Sequence, residues 1–214
     1  MNRFIFVLLA SLSMSLVAEP HNTIIGEFST GNLSPWESKS FNGETLYTLI
    51  EQGGQKVLKA ESNASASGMF REIRIDLEKT PYLNWSWLIE NSLGGINEQS
   101  KDGDDFPARV YVVVSGGVLF WRTKAINYVW SNNRVKESTW PNPFAGKNAM
   151  MMAIRTPADK PGTWLKEKRN VRTDLKNLFG KDIRYIDAVA VMTDTDNSGK
   201  HAQALYGDIF FSSE

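Results

Sequence analysis

The stretch Asp194-Thr195-Asp196-Asn197-Ser198-Gly199 sets hard oxygen donors at alternate positions ahead of a glycine, the opening half of a calcium loop. The bidentate acid of a complete loop would fall at Leu205, so a structural Ca2+ on Asp194, Asp196 and Ser198 needs carboxylates from another loop. Asp102, Asp104 and Asp105 are the candidates. The competing reading is a strand-ending turn whose Asp and Asn side chains satisfy local amides. Arg109, at the start of a very apolar strand, needs an anion if it is buried. Asp105 is the local partner, with Asp194 or Asp196 across the sheet. Sealed, this group is a structural clamp; beside an open groove, Asp104, Asp105 and Arg109 could hydrogen-bond sugar hydroxyls.

Three further sets carry weaker signals. Glu72, Arg74, Asp76 and Glu78 share one strand face, but retaining glycosidase chemistry needs a carboxyl pair about 5 Å apart with one pKa raised. Arg74 lies between Glu72 and Asp76 and would hold both down, so a solvated ion ladder is expected. Glu167 and Arg169 share a strand face and are expected to join the Arg109–Asp194 network, with Asp174 starting a short helix. Seven Trp residues could supply flat platforms for sugar rings. Trp85 and Trp87 alternate with polar residues and read as core. Trp140, amid Pro141, Asn142 and Pro143, reads as a loop residue facing a ligand, followed by Trp121, Tyr128 and Trp130.

Composition removes several alternatives. The 214 residues hold no Cys and two His, which excludes disulfides, thiolate metal sites and multi-histidine zinc. The 24 Lys+Arg balance 24 Asp+Glu, giving no electrostatic footprint for nucleic acid. There is no GxGxxG, HExxH or GxSxG, and Gly146-Lys147 lacks the first P-loop glycine. Residues 1–18 carry Arg3, an apolar run and small residues toward Ala18, the pattern of a cleaved signal peptide. A single domain over residues 19–214, periplasmic or secreted and not integral to the membrane, is therefore expected.

The elements that must position these groups are mostly strands. Short period-two runs punctuated by Gly, Asn and Pro predict about ten strands from eleven candidate segments. They are 23–28, 45–52, 56–61, 69–77, 82–90, 110–115, 126–130, 150–155, 164–171, 186–193 and 205–211. Gly53-Gly54 marks the firmest hairpin. Helix is confined to 174–179, stopped by Gly180, and to 119–124. The pattern predicts an all-β fold, a jelly-roll-like antiparallel β-sandwich with one or two short helices; a lipocalin-type barrel is the competitor. The excursions 94–107 and 136–146 are where function is expected.

Four ordered strings, DDFPARVYV (104–112), NYVW (127–130), EKRNVRTD (167–174) and VMTDTDNSG (191–199), resemble the bacterial secreted family called domain of unknown function 3047. The family's layout is similar to galactose-binding-like sandwiches of carbohydrate-binding modules, and KVLKAESNASASG (56–68) is similar to their early strand. The resemblance implies a fold rather than an activity. The leading expectation is an exported, non-catalytic sandwich that binds a polysaccharide or envelope glycan around a structural Ca2+. One rival is a carbohydrate-active enzyme using Asp104 or Asp105 with Glu167 or Asp194. The other is an envelope-assembly protein without a small ligand.

Overall fold

The computed structural model describes residues 22–214; the expected signal peptide lies outside the described residues. The first strands are β1 (Asn22–Gly26), β2 (Glu37–Asn42), β3 (Leu46–Gln52), β4 (Gln55–Asn63), β5 (Ala66–Asp76), β6 (Tyr82–Ile89) and β7 (Arg109–Val114). They are followed by β8 (Lys124–Trp130), β9 (Thr139–Asn142), β10 (Gly146–Arg155), β11 (Leu165–Asn170), β12 (Tyr185–Asp194), β13 (His201–Tyr206) and β14 (Ile209–Ser212). One α-helix, α1 (Val171–Phe179), sits between β11 and β12. No helix among the described residues is long and apolar enough to cross a membrane.

Two seven-stranded sheets result, so the expectation of an all-β sandwich holds. In the first, β6 pairs with β11 along one edge and with β14 and then β13 along the other. β13 and β14 are thus two halves of one broken strand, with Gly207 and Asp208 at the break. β1 pairs with β14, and β3 and β4 continue from β13. The second sheet runs β2-β5-β12-β7-β8-β10-β9. One pairing departs from the antiparallel expectation: β10 runs parallel to β8. Connection 131–145, which carries β9, brings the chain back to the starting end of β8, the crossover a parallel pair requires.

The period-two reading of β6 is correct. Leu83, Trp85, Trp87 and Ile89 point inward and are buried, while Asn84 and Ser86 alternate with them. Trp85 stacks on Tyr128 of β8 at 5.5 Å between ring centroids, and Trp87 meets Trp130 at 5.8 Å. These aromatic contacts bolt the sheets together, each buried large side chain contributing roughly 1.5–3 kcal/mol of transfer free energy. The β3–β4 turn is as expected: Gln52 faces Gln55, with Gly53 at φ 61° and Gly54 at φ 81°, conformations that a Cβ would strain.

Two helix expectations change. α1 starts at Val171, not Asp174, because the Asn170 side chain caps it by accepting from the Thr173 amide at 3.0 Å. Residues 119–124 form only a single 3-10 turn, Phe120–Arg122, at the tip of the β7–β8 connection. Gly116 and Thr123 close that loop against each other, since the Thr123 hydroxyl accepts from the Gly116 amide at 3.1 Å, and the segment between them holds only that one turn.

Candidate functional site

The acidic groups singled out by sequence do converge, but in a sealed core. β7 presents Arg109 and β12 presents Asp194, neighbours because the two strands pair with Met192 opposite Arg109. Arg109 Nε donates to Asp194 Oδ1 at 2.7 Å, and its Nη2 donates to Asp194 Oδ2 and to the Asp104 carbonyl oxygen. The guanidinium also lies 4.4 Å from the Phe106 ring centroid. Asp105 accepts from the amides of Asn197 (3.2 Å) and Ser198 (2.6 Å), so it holds the turn after β12. Asp104 Oδ2 accepts from Asn142 Nδ2 at 2.7 Å. Asp104, Asp105, Arg109 and Asp194 are all buried. They are thus packed away from solvent rather than arrayed along a cleft, and the clamp is the reading they satisfy.

This cluster is nonetheless unbalanced. Arg109 pairs with Asp194 and lies 3.7 Å from Asp104, while Asp105 and Asp196 stand beside these acids with no ion pair of their own among the described residues. Burial pushes the Asp104 carboxyl above its ordinary range against the pull of Arg109, and the charges of Asp105 and Asp196 add to the rise. One oxygen each from Asp105, Asp194 and Asp196 lies within 4.8 Å of the others. Such spacing suits an all-oxygen Ca2+ shell, with ligands about 2.3–2.6 Å from the ion. Asp104 Oδ1 and Ser198 Oγ are buried without a hydrogen-bond partner among the described residues.

The remaining sequence-selected residues lie elsewhere. Trp140 is a correction: it is buried on β9, where its Nε1 donates to the Glu98 carbonyl oxygen at 3.2 Å and its ring stacks with Phe106. Pro141 does not break that strand because β9 is the sheet edge and needs no donor there. Tyr128 and Trp130 are likewise core, with the Tyr128 hydroxyl donating to Asp174 at 2.8 Å. Glu167 and Arg169 do not join Arg109 and Asp194, which corrects a second expectation. β11 lies against β6 in the other sheet. There Glu167 Oε1 accepts from Arg155 Nε at 2.5 Å and Trp87 Nε1 at 2.9 Å, and Arg169 grips Asp174 and Glu137. The charged residues of β5 and the turn after it do not pair along the strand: Arg74 pairs with Asp187, and Arg184 with Asp76 and Glu78. The hydrogen bond from Arg184 holds the Asp76 carboxyl below its usual range, the wrong direction for a general acid.

An open groove lies where the sequence reading did not look, on the outward face of the first sheet. It encloses about 690 Å³. Because Leu165, Glu167 and Arg169 turn toward the core, the alternate residues Lys166 and Lys168 turn out beside Trp164, which is 37% exposed. Ser86 and Asn84 of β6 and Gln55 of β4 add hydrogen-bonding groups over Val57. The break at Gly207 shapes the floor: a Cβ there would stand 2.3 Å from Ser86 Oγ, while the Gly207 amide donates to the Ser86 carbonyl oxygen. Asp208, on the same floor, is held by the amide and hydroxyl of Ser29 at 2.9 and 2.5 Å. The signal that could have found this groove is parity: in Trp164-Leu165-Lys166-Glu167-Lys168 the even positions share a face, opposite the one that carries Glu167.

The sequence profile described as "Protein of unknown function (DUF3047)" matches residues 34–210. Among curated proteins no match was found. The structure is similar to the family 30 carbohydrate-binding module of the cellulosomal cellulase Cel9D-Cel44B of Clostridium thermocellum, at 11% identity and TM-score 0.53, covering 91% of this chain and 98% of that one. The family 11 carbohydrate-binding module of Lic26A-Cel5E from the same organism matches at 8% identity and TM-score 0.45, covering 89% and 94%. A family 29 carbohydrate-binding module matches at 10% identity and TM-score 0.41, covering 91% and 93%. At such identities the family 30 likeness establishes the sandwich fold and nothing of its ligand.

Proposed function

The chain belongs to the DUF3047 family, and for this member we propose an exported, non-catalytic β-sandwich that holds a glycan in the groove beside Trp164. The observation carrying this reading is the half-exposed indole set among amide, hydroxyl and ammonium groups over an apolar floor. A ring face gives a pyranose a dry platform, and the polar rim replaces the water its hydroxyls lose. The sandwich shared with a family 30 carbohydrate-binding module supports the reading at the level of fold. The enzymatic rival loses support because its acids are engaged in separate networks, Glu167 with Arg155 and Asp194 with Arg109. Export rests on the leader-like residues 1–18, and cell fractionation with N-terminal sequencing starting near Glu19 tests it.

Affinity electrophoresis across a polysaccharide panel tests the groove. Retention on at least one glycan, weakened about 2- to 13-fold by Trp164→Ala for a loss of roughly 0.5–1.5 kcal/mol of stacking, is the expected result. Retention identical in the variant, or none on any glycan, overturns the reading.

The same reading includes a structural Ca2+ at Asp105, Asp194 and Asp196, because one oxygen from each lies within 4.8 Å of the others and Ser198 Oγ has no partner among the described residues. The ion would offset the surplus charge and tie the turn after β12 to residues 104–105. Binding to the native state alone raises the melting midpoint. Millimolar Ca2+ is expected to raise the Tm relative to chelator, and an unchanged Tm removes the ion from the proposal.

A further inference from the structure

Charge distinguishes the groove from a merely polar one. Of its ionic groups, Glu167 turns inward onto Arg155 and Trp87, and both oxygens of Asp208 are taken by Ser29. Lys166 and Lys168 are different. Both are exposed, stand on the same face of β11 about 7 Å apart along the strand, and pair with no acid among the described residues. Lys168 lies 4.8 Å over the Tyr82 ring, which fixes its ammonium without neutralising it. Two cations beside an indole suit a ligand that alternates flat sugar faces with anionic groups.

We infer that the groove takes an acidic polysaccharide, with its carboxylates on Lys166 and Lys168 and a sugar face on Trp164. This inference rests on the proposed glycan site and adds the class of glycan. Lysine serves as a point charge without a fixed fork, so it tolerates a carboxylate whose orientation varies along a flexible chain. Screening by salt weakens such contacts while leaving stacking largely intact.

The test uses the full mature protein with two polyuronates, alginate and polygalacturonate, and two neutral polymers, hydroxyethylcellulose and galactomannan, each at low and high salt. Wild-type protein is expected to be retained by a polyuronate in preference to both neutral polymers. Lys166→Gln and Lys168→Gln are each expected to weaken retention up to about fivefold, the range of exposed ion pairs, and added salt to do the same. Both substitutions are on exposed side chains, so an unchanged Tm certifies the fold. Neutral polymers bound through Trp164 with no effect of either lysine variant overturn the charge inference while leaving the glycan reading intact. Polyuronate binding that neither lysine variant weakens also overturns it, placing the anion elsewhere. Failure to bind any of the four overturns the inference and counts against the glycan reading too.

Discussion

In buffer containing chelator, replacing Arg109 by Met removes the cation that Asp194 grips and leaves that carboxylate buried without a counter-charge. Arg109 and Asp194 are 3% and 2% exposed, so solvent offers little rescue. Breaking a buried pair from one side costs about 3–5 kcal/mol. A domain of this size loses roughly 2–4 °C of Tm per kcal/mol, so a drop of about 6–20 °C is expected by calorimetry or circular dichroism. The orphaned acid also predicts a pH signature. An unpaired buried Asp194 takes up a proton more readily in the folded than in the unfolded chain, so the penalty shrinks as pH falls and is largest near neutrality. Arg109→Met with Asp194→Leu removes both charges and is expected to recover much of the loss, since a matched apolar pair can substitute for a buried ion pair. A drop below 2 °C for Arg109→Met, or a double variant no better than the single one, refutes the clamp.

Three other outcomes follow from which side chains are buried. Trp140→Ala, deleting a buried ring stacked on Phe106, is expected to cost about 3–5 kcal/mol in urea denaturation, whereas Trp164→Ala leaves stability nearly unchanged. Equal effects would contradict their burial. Burial pushes the Glu98 carboxyl above its ordinary range despite hydrogen bonds from Asn132 and Ser131. Its folded pKa is the higher one, so its contribution is present below the unfolded value near 4.5 and is lost as pH rises through the folded value. Glu98→Gln is therefore expected to flatten the fall in unfolding free energy from pH 4.5 to 7, and an unaltered slope refutes the assignment.

Much of the fold could be read from the sequence because one physical rule dominated it. Where a strand has one wet and one dry face, alternation is visible, as in Leu83-Asn84-Trp85-Ser86-Trp87. The rule fails at edges. β2 is exposed along its whole length and pairs only with β5, so no apolar period marks it. β9 carries Pro141 and reads as a loop until β10 supplies its partner. The acidic cluster was legible in part: Asp194 was among the partners expected for Arg109, but Asp105, expected beside that guanidinium, holds the turn after β12 instead. Its closure to solvent was not, because sealing depends on Tyr206, brought in from a distant segment, as well as on the neighbouring Phe106 ring. The groove was missed since its two lysines look like ordinary surface charge until β11 is placed against β6.

The broken strand has a consequence for how the molecule is made. β14 lies between β1 and β6, so the earliest described strand and a central one both wait for residues 209–212. A nascent chain ending at Tyr206 exposes two unmatched backbone ladders and a gap through the middle of the layer. Closure over such sequence separation is slow, which lengthens the interval in which the polypeptide is vulnerable to proteases.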